Sequence, residues 1–203
     1  MAENTRLTLT LVRTGLTSWE QAGRLAGGVD IPLCTEASAA CGDLARQAAS
    51  SEPDLILHAD DQASRATADA IDGLARDAKV REVEELAEIN LGLWAGVKAE
   101  TLEDRSPQVW RLWRDDPTGV NVPEGEQVAA AADRIVGTLV KALGKAKGGS
   151  SVVVVLRPIA FGMVRCWLDA LPLKGLWKAT EGVAPIDRRE ISKDHLKRDP
   201  AGA

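Results

Sequence analysis

Arg13-Thr14-Gly15 closes an apolar run and opens a long loop. An arginine two residues before a glycine at the carboxyl end of a strand is a way to hold an anion. The guanidinium supplies a planar fork of donors, and glycine lets the backbone approach a ligand. Two further segments carry groups able to act with it. Glu88 is a lone acid in the apolar, turn-rich stretch Leu86–Gly96, and Arg157-Pro158 follows the most apolar strand segment of the chain. Arginine has no lone pair for attack and stays protonated, so Arg157 can bind but cannot act as a nucleophile or base. Thr14 offers a hydroxyl, which needs a base and forms a stable ester. These residue types favour binding an anion over transferring one.

The elements that must position these groups are legible in the pattern. Leu7–Val12 reads as a buried strand, and the glycine-rich loop after it ends near Pro32. Thr35 is expected to cap a helix running to about Ser50. Asp54–His58 is a second strand, and Ala63–Arg76 a helix with Ala66, Ala70 and Leu74 on one face. Val80–Val83 is a short strand with an acidic end. Thr101–Arg114 reads as helix in two pieces broken at Pro107, with Trp110 and Trp113 on one face, and 115–125 as loop. Glu126–Ala146 is the clearest helix, from Val128 through Leu143 on one stripe. Ser151–Leu156 suits the centre of a parallel sheet, and Pro158 starts a helix to about Ala170. Leu176–Thr180 and Ile186–Ile191 are weaker strand candidates, and 193–203 reads as a flexible tail. Strand, loop and helix recur in the order of a βαβ architecture.

Several ordered matches surround these residues. After Arg13 come Thr17, Trp19, Gly23-Arg24, Gly27, Asp30-Ile-Pro-Leu33 and Thr35. Further on come Arg65-Ala66, Leu86-x-Glu88-Ile89 with Gly92, Trp94 and Gly96, and Pro123-Glu-Gly-Glu126. Over roughly Leu7–Pro172 the chain resembles the histidine phosphatase superfamily, the phosphoglycerate-mutase-like enzymes. The resemblance implies a three-layer α/β/α sandwich with a mostly parallel central sheet, formed by one domain over 1–203. It also implies phosphate held by Arg13 and Arg65 and an acidic proton donor at Glu88.

The departures fall on the chemistry. Thr14 stands where the family has the histidine that takes up the phosphoryl group, and Arg157-Pro158 stands where it has its second His-Gly. Glu20 replaces the usual Asn, Leu16 the usual Glu, and Asp69 the Thr of the second arginine's helix. The expectation is a degenerate member with no intact catalytic set at Thr14, Glu88 and Arg157. Its anion-binding residues would be Arg13, Thr14, Arg65 and Arg157, with the three guanidinium groups converging. Three such charges repel, so either a bound anion or the carboxylates of Glu20 and Glu88 must neutralise them. In the first case the pocket holds phosphate or a phosphorylated small molecule, or the domain serves as a scaffold for a protein partner. The alternatives are a working phosphatase or mutase with rerouted chemistry, and a structural assembly subunit with a sealed pocket. Glu88 is read as a salt-bridge partner rather than a proton donor.

Bulk properties narrow the classes. The 203 residues are 45% apolar and 27% charged with net charge −5, a balance that gives no pull towards nucleic acid or anionic membrane. The amino terminus carries no long apolar segment, so a cytoplasmic location is expected. Cys34, Cys41 and Cys166 are widely spaced and read as reduced thiols, with Cys34 near enough the loop's end to line the pocket. His58 and His195 are the two histidines, so no cofactor or metal centre is expected. His58 reads as an ordinary strand-end residue. Six Trp against one Phe and no Tyr is a bias the sequence does not explain.

Overall fold

The computed structural model describes residues 6–192 and 194–198. Its elements in chain order are β1 (Leu7–Arg13), α1 (Ser18–Gln21), α2 (Thr35–Ala49), β2 (Leu55–His58), α3 (Gln62–Asp72), β3 (Lys79–Glu82), α4 (Ala99–Arg105), α5 (Pro107–Asp115), α6 (Val128–Gly144), β4 (Ser151–Leu156), α7 (Pro158–Leu168), α8 (Leu176–Thr180) and β5 (Ile186–Ile191). The strands form one five-stranded sheet in the order β3-β2-β4-β1-β5. All neighbours pair in parallel except β5, which runs antiparallel to β1.

The run of valines at 152–155 explains the layering. Successive side chains alternate faces, so Val152 and Val154 join Leu9 and Leu11 against α6 and α7. Val153 and Val155 face the other way and pack with Val12 and Ile56 against Ala45, Ala48, Ala68 and Ile71 of α2 and α3. Every residue of β4 is buried, as a central strand covered on both faces requires. This is the expected three-layer sandwich.

Three local expectations are corrected. Leu176–Thr180 is a helix rather than a strand. Its Thr180 hydroxyl donates to the Leu176 carbonyl one turn back, and the segment docks where Gly162 of α7 has no side chain to block it. The cap of α2 is Cys34, whose Sγ accepts from the Ala37 amide, and Thr35 is the first helical residue. In the tail, His195–Lys197 make a 3-10 turn and Leu196 packs against the core, while 193 and 199–203 lie outside the described residues. The glycine-rich loop also holds a one-turn helix, α1, set by a capping box. Thr17 accepts from the Glu20 amide, and the Glu20 carboxylate accepts from the Thr17 amide and hydroxyl. Among the described residues no helix is long and apolar enough to cross a membrane.

Candidate functional site

The carboxyl ends of β1 and β4 bring Arg13, Thr14 and Arg157 to one edge of the sheet, with Arg13 opposite Leu156 in the parallel register. α1 then folds back so that Glu20 faces Arg157. Its Oε1 accepts from Arg157 Nη2 at 3.1 Å, while Oε2 is held by the capping box. Asp61, the cap of α3, lies on the other side, with Oδ1 3.7 Å from Arg157 Nη1. Arg157 is 1% exposed and the Glu20 side chain 18%, so the ion pair is buried on the arginine's side and partly open on the carboxylate's. Burial opposes the guanidinium's charge, but the carboxylates of Glu20, Glu88 and Asp61 outweigh it and raise its pKa. Nε and Nη1 of Arg157, the second oxygen of Asp61 and the hydroxyl of Thr14 make no hydrogen bond to protein.

Glu88 does not take the salt-bridge role expected of it. Its oxygens accept from the amides of Ile159 at 2.7 Å, Ala160 at 2.9 Å and Ile89 at 2.9 Å. Two of these amides lie in the first turn of α7, whose own cap residue, Arg157, provides no side-chain cap. Glu88 therefore does the capping from a distant segment. Burial pushes its pKa up to about 7, against the opposing pull of Arg157 and of the Ile89 and Ile159 amides. A carboxyl raised from its ordinary 4.5 binds its proton more tightly folded than unfolded, so stability falls as pH rises through that interval. Glu88→Gln cannot ionise and is expected to escape this loss. Its stability relative to the parent should improve by on the order of 2 kcal/mol between pH 5 and pH 8. Urea midpoints for both proteins at the two pH values check this, and a pH-independent difference would show Glu88 titrating normally.

Each of the other two arginines has protein partners of its own. Arg13 turns into the protein, donating to the Thr180 carbonyl and, at 3.3 Å, to the Val183 carbonyl, with its guanidinium 5.8 Å from the centre of the Phe161 ring. Burial and the neighbouring Arg165 lower its pKa. Arg65 stands apart, half exposed, bonded to Glu82 at 2.8 Å and to the Asp60 carbonyl at 3.0 Å. His58 is buried at its strand end with Nδ1 2.6 Å from the Ala59 carbonyl. Cys34, Cys41 and Cys166 are free, and burial raises the pKa of Cys166 to about 11.

A cavity of about 690 Å³ reaches Glu20 but not Arg157. Its lining includes Arg13, Thr14, Glu20, Glu88 and Pro158. Much of the wall is apolar, and Trp110 and Trp113 share it as their spacing implied, joined by Trp177. Trp113 packs edge-on against Trp177 and Trp94 with ring centres 5.2 and 5.5 Å apart. Cys41 lines the cavity and Cys34 does not. A second cavity of about 130 Å³ lies behind Arg157, between Asp30, Asp60, Asp61 and Glu88. Arg65 lines neither. Sequence reasoning missed Asp61 and Trp177. The cap position of Asp61 before α3 was a usable signal for the first, but Trp177 fell in a segment read as a strand.

Comparison with known proteins places this architecture. The profile of the histidine phosphatase superfamily (branch 1) matches residues 9–196. Phosphoserine phosphatase 1 of Hydrogenobacter thermophilus is 27% identical over 169 residues, covering 83% of this chain and 79% of the relative. Among solved structures, a protein described as mycobacterial hydrolase 1 superposes with a TM-score of 0.82 at 22% identity, covering 95% of this chain and 94% of the other. YhfR of Bacillus stearothermophilus gives 0.81 at 21% identity, with 90% of each chain covered. Mycobacterial glucosyl-3-phosphoglycerate phosphatase complexed with VO3 gives 0.81 at 22% identity, with 94% of each chain covered.

Proposed function

Because the chain belongs to the histidine phosphatase superfamily (branch 1), we propose that it is a binding protein of that fold which has abandoned phosphohistidine chemistry. The observation that carries this reading is the Glu20–Arg157 pair. Both positions depart from the family pattern, and the two departures meet in one salt bridge whose arginine is buried. The carboxylate of Glu20 neutralises the guanidinium that replaced the second histidine. Thr14 cannot take up the phosphoryl group as an imidazole does. Arg13 and Arg65 have protein partners of their own. Of the binding readings, this arrangement favours a protein whose central anion position is filled from within.

Relatives that are phosphatases support a second reading, a phosphatase with rerouted chemistry, and Glu88 with a pKa of about 7 would hold a proton to give at neutral pH. One set of measurements separates the two. With p-nitrophenyl phosphate and 3-phosphoglycerate, the purified chain is expected to show no turnover above buffer. Millimolar phosphate is expected to leave its Tm unchanged, whereas a ligand at ~100 times its Kd would add about 2.7 kcal/mol. Turnover that disappears in Arg13→Ala would overturn the non-catalytic reading.

A further inference from the structure

The turn Pro123–Glu126 and Arg134 of α6 meet around the segment that carries Glu88. The Arg134 guanidinium forks onto the Glu126 carboxylate, with Nε 2.9 Å from one oxygen and Nη2 2.7 Å from the other. Its Nη1 donates to the carbonyls of Glu85 and Ala87, both at 2.9 Å. Neither carbonyl accepts from a backbone amide among the described residues. Glu126 takes hold on the far side of Glu88. Its amide donates to the Asn90 carbonyl at 2.8 Å, and its carboxylate accepts from the Asn90 amide at 3.4 Å. Residues 87–91 belong to no helix or strand, so no regular ladder fixes their backbone. Side chains do it instead, Arg134 before Glu88 and Glu126 after it. The glycine-rich loop also packs on this segment: a Cβ at Gly27, where φ is +54°, would lie 3.0 Å from the Ile89 carbonyl. The side chains of Arg134 and Glu126 are 28% and 21% exposed, so their fork is better sheltered than an ordinary surface pair.

We propose that Arg134 is a positioning residue for Glu88: forked on Glu126, it fixes the backbone of 85–90 so that the Glu88 carboxyl sits on the amides of Ile159 and Ala160 at the start of α7. Glu88 lines both cavities, so the same clamp sets part of the wall of each. Lysine at 134 would keep the charge but not the planar fork that answers a carboxylate and two carbonyls at once. The assignment holds whether or not the chain turns over a phosphate ester, and its test involves no ligand.

The test is an NMR titration of the full chain between pH 5 and pH 8. Glu88, whose pKa burial raises to about 7, changes charge in this interval, and the Ile159 and Ala160 amides that it accepts from at 2.7 and 2.9 Å should shift with it. Glu20 and Arg157 act on Glu88 electrostatically, and Asp30, Asp60 and Asp61 line the smaller cavity with it. Loss of the shift in Glu88→Gln therefore identifies it as Glu88's own. Arg134→Lys is expected to lose more than half of the shift at both amides, because the carboxyl no longer rests on them. A purely structural Arg134 would lower stability and leave the shift intact. Should Arg134→Lys not fold, Glu126→Gln decides in its place: it leaves the fork one carbonyl oxygen and should also reduce the shift. No shift at these amides in the parent, or a shift kept in full in the variant that folds, overturns the inference and leaves the non-catalytic reading standing.

Discussion

Glu20→Gln is expected to destabilise the chain by roughly 3–5 kcal/mol and to make it responsive to phosphate, to which the parent is indifferent. Glutamine retains a carbonyl oxygen that can serve the capping box with Thr17, so α1 should keep its cap. What changes is the group facing Arg157 at 3.1 Å. A carboxylate becomes an amide with no charge, and the guanidinium, 1% exposed, keeps the pull of Glu88 and of Asp61 at 3.7 Å but loses its hydrogen-bonded counter-ion. Removing one side of the pair leaves a charge that water barely reaches and the protein satisfies only in part. Phosphate can then supply what Glu20 no longer does, so Tm should rise with phosphate in the variant. Arg157→Met in the Glu20→Gln background should recover most of the lost stability, because an apolar side chain leaves no charge to compensate. Urea unfolding of the four members of this cycle gives the coupling directly. A coupling below about 0.5 kcal/mol, with no effect of phosphate, would mean that the pair is incidental.

That pair also shows what the sequence could and could not disclose. Runs such as Val152–Val155 and Leu7–Val12 declared themselves because a strand buried on both faces admits little else. Residues 20 and 157 are 137 positions apart, and each change read alone looks like decay. Only the fold shows the two as opposite charges in contact. Arg65 erred the other way. Its motif position implied a shared pocket, but Glu82 at the edge strand offers a closer carboxylate. Leu176–Thr180 misled because Leu, Trp and Thr suit a strand locally, while the close approach to Gly162 that makes it a helix is tertiary. The Trp bias acquires a use at 110, 113 and 177, which wall the cavity.

The combined variant Thr14→His, Glu20→Asn and Arg157→His is expected to hydrolyse p-nitrophenyl phosphate at least about a hundredfold faster than the parent, with an acid-labile phosphoenzyme trapped on the introduced residue at 14. Each change removes a different obstacle. An imidazole at 14 restores an attacking nitrogen at the end of β1, where the Thr14 amide already donates to the Leu156 carbonyl and fixes the backbone. Asparagine at 20 withdraws a lining carboxylate that repels a dianion. Histidine at 157 replaces a group that can bind but not exchange protons. The expected proton donor is Glu88, whose pKa burial pushes up to about 7 and which lines the same cavity. Order matters, and it discriminates. Thr14→His alone should stay inactive, because the nucleophile would face the filled anion position. Thr14→His with Glu20→Asn should bind phosphate yet turn over slowly. A triple variant that folds and binds phosphate but forms no phosphoenzyme would show that the backbone itself, and not only the three side chains, has moved away from the reactive geometry.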